Sequence, residues 1–91
     1  MRTIRKYTIP ADGKPHDYEL SCVPIAVANG TLRDEVDFWE DHDDSEETWT
    51  VRLQVVTTGE ELPGVALWLG TTPERYGTVR HLVQIPVEGG N

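Results

Sequence analysis

Residues 48–58, TWTVRLQVVTT, alternate apolar and polar side chains with period 2, and they constrain the fold more than any other segment. Trp49, Val51, Leu53 and Val55 fall on one face, with Thr50, Arg52 and Gln54 on the other. A helix of 3.6 residues per turn would scatter these side chains around its axis. A pleated strand instead sorts them into a buried and a solvated side. The pattern predicts a strand over residues 48–56 with Trp49 turned toward the core.

Short β-branched and aromatic runs of the same kind recur, separated by Pro, Gly, Asp and Asn. They predict strands over residues 3–9, 16–20, 23–28, 36–40, 65–71 and 79–87. Tyr7 and Ile9 share a face of the first, which Pro10 and the turn-forming Ala11-Asp12-Gly13 terminate. Pro24 has no backbone donor, so the strand over 23–28 belongs at an edge or a bulge. Asn29-Gly30 is the strongest turn dipeptide, since both residues tolerate positive φ. Val36 and Phe38 face inward, Asp37 and Trp39 outward. In residues 65–71, Val65, Leu67 and Leu69 oppose Ala66 and Trp68. Only residues 31–38 show helical spacing, over a stretch too short to stand alone. The expected architecture is all-β: a small single-domain sandwich or flattened barrel of about seven mostly antiparallel strands. Residues 1–88 form the domain and residues 89–91 a loose tail.

Charge narrows the function. Eight basic residues against sixteen acidic ones give a formal net charge of −8. Nucleic-acid binding needs a concentrated Lys/Arg surface, and docking on anionic membranes needs the same, so neither is expected. Cys22 is the single cysteine, which rules out an intrachain disulfide and a cysteine-based zinc site. The N-terminal MRTIRKYTIP has no apolar signal core, and no apolar run reaches membrane-spanning length. A cytoplasmic protein, or one assembled into a larger particle from the cytoplasm, is expected.

Nine of the sixteen acidic residues lie in residues 34–47, DEVDFWEDHDDSEE. Alternating oxygen donors at Asp41, Asp43, Ser45 and Glu47 resemble the start of an EF-hand loop. Glu46, however, stands where that loop needs glycine, and Arg52 where it needs a bidentate glutamate. No metal is expected. His16, His42 and His81 fall in different elements. Ser21, Cys22 and Ser45 lack a local base, and the isolated glycines form no phosphate cradle. No catalytic residue and no cofactor is expected, and the chain reads as a non-enzyme.

What remains is recognition. Closely packed like charges favour an extended loop between the fourth and fifth strands, with Arg33 or Arg52 as the nearest cations to anchor it. Trp39 and Trp68 point outward and would form a hot spot. The expected contact residues are therefore Trp39, Trp68, Glu40, Asp41, His42, Asp43, Asp44, Glu46 and Glu47. They would bind a protein partner, or a second copy through an exposed edge such as residues 23–28. The alternatives are an acidic DNA mimic that occupies a nucleic-acid-binding enzyme and a structural component of a larger assembly.

The order of segments also resembles an uncharacterised family of small all-β proteins from tailed bacteriophages, including those of actinobacteria. The resemblance rests on the opening Arg2-Thr3-Ile4-Arg5-Lys6-Tyr7, on Asp17-Tyr18-Glu19-Leu20 and on Pro24-Ile25-Ala26-Val27. It continues with Phe38-Trp39, the acidic stretch, Glu47-Thr48-Trp49-Thr50-Val51-Arg52, the turn Thr57-Thr58-Gly59-Glu60, Trp68-Leu69-Gly70-Thr71 and His81-Leu82-Val83. The chain departs from the pattern in a longer turn over residues 72–78, a heavier acidic stretch, and Arg5 at a common aromatic position. The resemblance implies a phage or prophage origin and no catalytic role. It also implies a protein partner from phage or host, and a place in the cytoplasm of the bacterial host cell or, as a structural component, in the virion.

Overall fold

The first strand, β1 (Arg2–Pro10), pairs along its whole length with β4 (Glu35–Asp43), from Arg2 opposite Asp43 to Pro10 opposite Glu35. This register aligns two period-2 patterns: Tyr7 meets Phe38 and Ile9 meets Val36 on the inner face. A slip of one residue would turn that apolar set to water. The computed structural model describes residues 1–87, and the expected loose tail at residues 89–91 lies outside the described residues.

Five further strands complete the fold: β2 (His16–Leu20), β3 (Ala26–Asn29), β5 (Trp49–Thr57), β6 (Leu67–Thr71) and β7 (Arg80–Ile85). They form two antiparallel sheets, ordered β1-β4-β3 and β2-β5-β7-β6. The molecule measures 17 Å along its thinnest axis, as expected for two sheets stacked about 10 Å apart with their outer side chains. No helix occurs among the described residues, so the expected all-β sandwich of seven strands is what forms.

Between the sheets lie Ile9, Leu20, Val36, Phe38, Val51, Leu53, Val55 and Leu82, all essentially water-free. Fully burying a side chain of this size stabilises the fold by roughly 1.5–3 kcal/mol. Phe38 anchors an aromatic cluster, stacked on Tyr7 at 5.2 Å and edge-on to Tyr18 at 5.1 Å. Tyr18 also donates a 3.1 Å hydrogen bond to the Thr8 carbonyl and so ties β2 to β1 in the other sheet.

Several expectations need correction. The strand over residues 36–40 continues to Asp43, so half of the expected acidic loop is strand. Trp49 heads the core-facing row of β5, opposite the buried Leu20, yet is itself 47% exposed. β3 starts at Ala26, leaving Val23 and Ile25 outside it and exposed, although it does occupy the edge that Pro24 suggested. Gly30 follows β3 without a positive φ. Its lack of a side chain matters because a Cβ there would come within 2.7 Å of the Glu35 Cβ and 2.8 Å of the Glu35 carbonyl oxygen. The turn that does use two positive φ values lies at Tyr76-Gly77, closed by reciprocal bonds between Arg75 and Thr78.

Candidate functional site

Strand alternation also builds the outer face of the second sheet. Val56 follows Val55 and therefore points away from the core, as does Val83 after Leu82. Both are nevertheless buried, at 4% and 1% exposure. They form the floor of a groove of about 270 Å³, walled by Thr58, Glu60, Leu62, Ala66, Trp68 and His81. The loop over residues 58–66 folds across this face. Glu60 fixes its base: its side chain accepts a 2.8 Å bond from the Thr57 N–H, and its own N–H donates to the Thr57 carbonyl.

A chain of hydrogen bonds holds the polar wall. The Trp68 indole N–H donates to Thr71 Oγ1 at 2.9 Å, and that hydroxyl lies 2.9 Å from His81 Nδ1. His81 Nε2 lies 2.8 Å from Thr58 Oγ1. Each threonine hydroxyl can donate or accept, so either neutral tautomer of His81 is satisfied at both ring nitrogens. The ring is thus held at both nitrogens, and the Trp68 indole, 61% exposed, is fixed at the mouth of the groove.

A second polar assembly lies inside the sandwich. Glu40 follows Phe38 on the inner face of β4 and is fully buried. Its carboxylate accepts from Tyr7 Oη at 2.8 Å, the Ser21 N–H at 2.6 Å, Ser21 Oγ at 3.1 Å and His42 Nδ1 at 3.0 Å. Burial pushes the Glu40 carboxyl up, but the Ser21, His42 and Tyr7 donors outweigh it and hold the group below its ordinary range. Burial, and then the hydrogen bond to Glu40, raises the Tyr7 phenol. Ser21 Oγ gives its proton to the carboxylate and accepts from the Asp43 N–H at 3.0 Å. The hydroxyl is therefore spent on structure, fastening the chain after β2 to β4.

The nine expected contact residues do not form one surface. Glu40 and His42 point inward. Trp39, Asp41 and Asp43 alternate with them and face out from the first sheet, whereas Trp68 lies on the outer face of the second, so the expected common tryptophan face does not exist. Asp41 is gripped by Arg2 across the β1–β4 pair, and this contact depresses its carboxyl. Arg52 forks onto Asp17, and Arg33 lies 4.7 Å over the Tyr76 ring. Asp43 caps the following turn by accepting from the Ser45 N–H and hydroxyl, which hold its carboxyl down. Asp44, Glu46 and Glu47 remain as the exposed acidic tip.

Sequence reasoning missed His81, Thr58, Thr71 and the valine floor. The doublets Val55-Val56 and Leu82-Val83 were the available signal, since consecutive buried residues require both faces of a strand to be covered. Among the described residues, no three of His, Cys, Asp and Glu converge as a metal would require.

The described residues thus form a two-sheet β-sandwich with a tryptophan-lipped apolar groove on the outer face of its second sheet. The chain belongs to a domain family of unknown function, DUF7352, whose model matches residues 1–89. No curated protein and no solved structure matches it.

Proposed function

We propose that this protein is a non-catalytic, phage-type accessory module that acts in the bacterial cytoplasm by binding another protein. The observation that carries this reading is Trp68, 61% exposed at the lip of an apolar groove and fixed there by Thr71. A large aromatic side chain beside a desolvated pocket is the usual centre of a protein–protein contact. The exposed Asp44, Glu46 and Glu47 lie at the end of the β4–β5 turn, where they would steer a basic partner and raise its association rate. The phage assignment rests on the resemblance of the strand segments alone.

A direct test measures partner capture by the wild-type chain and by two variants. Trp68→Ala is expected to weaken capture at least tenfold, while replacing Asp44, Glu46 and Glu47 with amides slows association only. Capture indifferent to Trp68 but abolished by the amide variant would overturn the reading in favour of the DNA mimic.

A further inference from the structure

Two stretches of the chain carry no charge at all, residues 20–32 and residues 62–73. They contain β3 and β6, the edge strands on the same side of the sandwich. Their proximity is direct. A Cβ on Gly70 would come within 2.6 Å of Val27 Cγ2, and Asn29 Nδ2 donates to the Pro73 carbonyl at 3.1 Å. All 24 Asp, Glu, Lys and Arg residues thus lie outside the two stretches that build this flank. Apolar surface concentrates there instead. Among the described residues, seven of the twelve exposed large hydrophobics fall in these two stretches, including Ile25, Val65, Leu67 and Trp68.

The edges differ in how they are protected. β1 carries Arg2, Arg5, Lys6 and Pro10, and β2 carries Asp17 and Glu19. Charges and prolines of this kind keep an edge from pairing with another chain. β3 follows Pro24, and Arg75 clamps its exit by donating to the Gly30 and Leu32 carbonyls at 2.7 and 2.8 Å. β6, LWLGT, has neither charge nor proline. It carries a bulge between Trp68 and Gly70, and Leu67 and Trp68 lie exposed at 59% and 61%.

From this we infer that β6 is a self-association edge: its partner is a second copy of this chain, pairing β6 to β6 antiparallel about a two-fold axis. The inference rests on the reading of the Trp68 corner as a protein contact and names its partner. Charge selects that partner. A basic protein would be drawn to the acidic end of β4, beyond the reach of β3, which pairs only with residues 36–39. Two chains of net charge −8 repel each other on average, and contact across a charge-free flank adds no local like-charge pair to that repulsion. An isologous contact also matches each apolar side chain with its own kind and extends the four-stranded sheet to eight strands.

Sedimentation velocity over a concentration series, from 50 to 500 mM NaCl, tests this. The wild-type chain is expected to move from its 10.2 kDa mass toward twice that value as concentration rises. Salt is expected to strengthen the dimer, because it screens the repulsion between like-charged copies. Leu67→Glu should weaken dimerisation at least tenfold, and Val65→Glu should do the same, both sites being exposed enough to leave the monomer folded. Ile4→Glu on the protected β1 edge should change nothing. A chain that stays at monomer mass at millimolar concentration in all salts would overturn the inference, as would a dimer that survives Leu67→Glu or that salt dissolves. A monomeric chain that still loses a captured partner on Trp68→Ala would refute self-pairing and leave the binding-module reading intact. A dimer abolished by Leu67→Glu would support self-pairing even if no other partner depended on Trp68.

Discussion

Replacing Glu40 separates a stabilising buried carboxylate from a tolerated one. In Glu40→Ala four donor contacts lose their acceptor. The Tyr7 and Ser21 hydroxyls can rotate toward other acceptors. The Ser21 N–H and the His42 ring cannot, because the backbone fixes one and β4 packing fixes the other. Each buried donor left without a partner costs about 1–3 kcal/mol, so with the lost packing the variant should be destabilised by about 3–5 kcal/mol, in the range of a broken buried ionic contact. That is a large fraction of the ~5–10 kcal/mol expected for a domain of this size. Glu40→Gln can turn its carbonyl toward the Ser21 N–H and its amide toward the Tyr7 oxygen, so it should lose only about 1–2 kcal/mol of charge assistance. Urea titration monitored by circular dichroism gives both values from the shift in midpoint at unchanged m. An alanine variant within about 1 kcal/mol of wild type would refute the argument, and so would a glutamine variant less stable than the alanine one.

The remaining predictions concern pH, packing and the turn that closes β3. Because the folded Glu40 carboxyl lies below its ordinary value of 4.5, its stabilisation is complete above that pH and is lost as pH falls through the folded value. Glu40→Gln should therefore flatten stability against pH below about 4.5, with a residual slope from the also-depressed Asp12, Asp17, Asp41 and Asp43, whereas identical slopes would place the titration elsewhere. Gly70→Ala should cost about 1–3 kcal/mol by overpacking against Val27, measured by thermal unfolding, and Val27→Ala on the same background should recover part of it. Arg75→Ala releases the Gly30 and Leu32 carbonyls and should speed amide exchange in β3 while leaving β5 unchanged. Asp17→Asn, on an exposed pair with Arg52, should cost under about 1 kcal/mol in the same unfolding assay.

The strands were legible wherever period 2 ran against turn residues, and β2 falls on the same residues in sequence and structure. Reading β4 as ending at Glu40 came from treating residues 40–47 as mutually repelling charge. The register removes that repulsion. β1 sets Arg2 against Asp41, and Glu40 turns inward among donors from Tyr7, Ser21 and His42, three positions separated by up to 35 residues. The alternation did continue through Glu40 and His42, but assigning them inward requires knowing those donors, which no local window contains. Trp49 shows a different limit. Periodicity assigns a side chain to a face but not its depth: Trp49, opposite the buried Leu20 at the start of β5, stays 47% exposed. The two-tryptophan face failed because outward residues of two sheets point to opposite sides of a sandwich. The groove stayed hidden because its lid, residues 58–66, has no regular structure of its own.

The order in which the sheets draw on the chain bears on its synthesis. Every strand of the first sheet lies within residues 2–43, whereas the second recruits β2 early and then needs β5, β7 and β6 from residues 49–85. As the polypeptide leaves the ribosome, β1, β3 and β4 can associate first. At that stage the apolar faces of Val36, Phe38 and Ile9 have only β2 and its aromatic Tyr18 to shelter them. Completion waits for β7, which joins β5 to β6. Pairings between strands so distant along the chain form slowly, on the order of milliseconds to seconds. Truncation anywhere before Ile85 should therefore leave a half-covered intermediate that aggregates or is degraded rather than a smaller working domain.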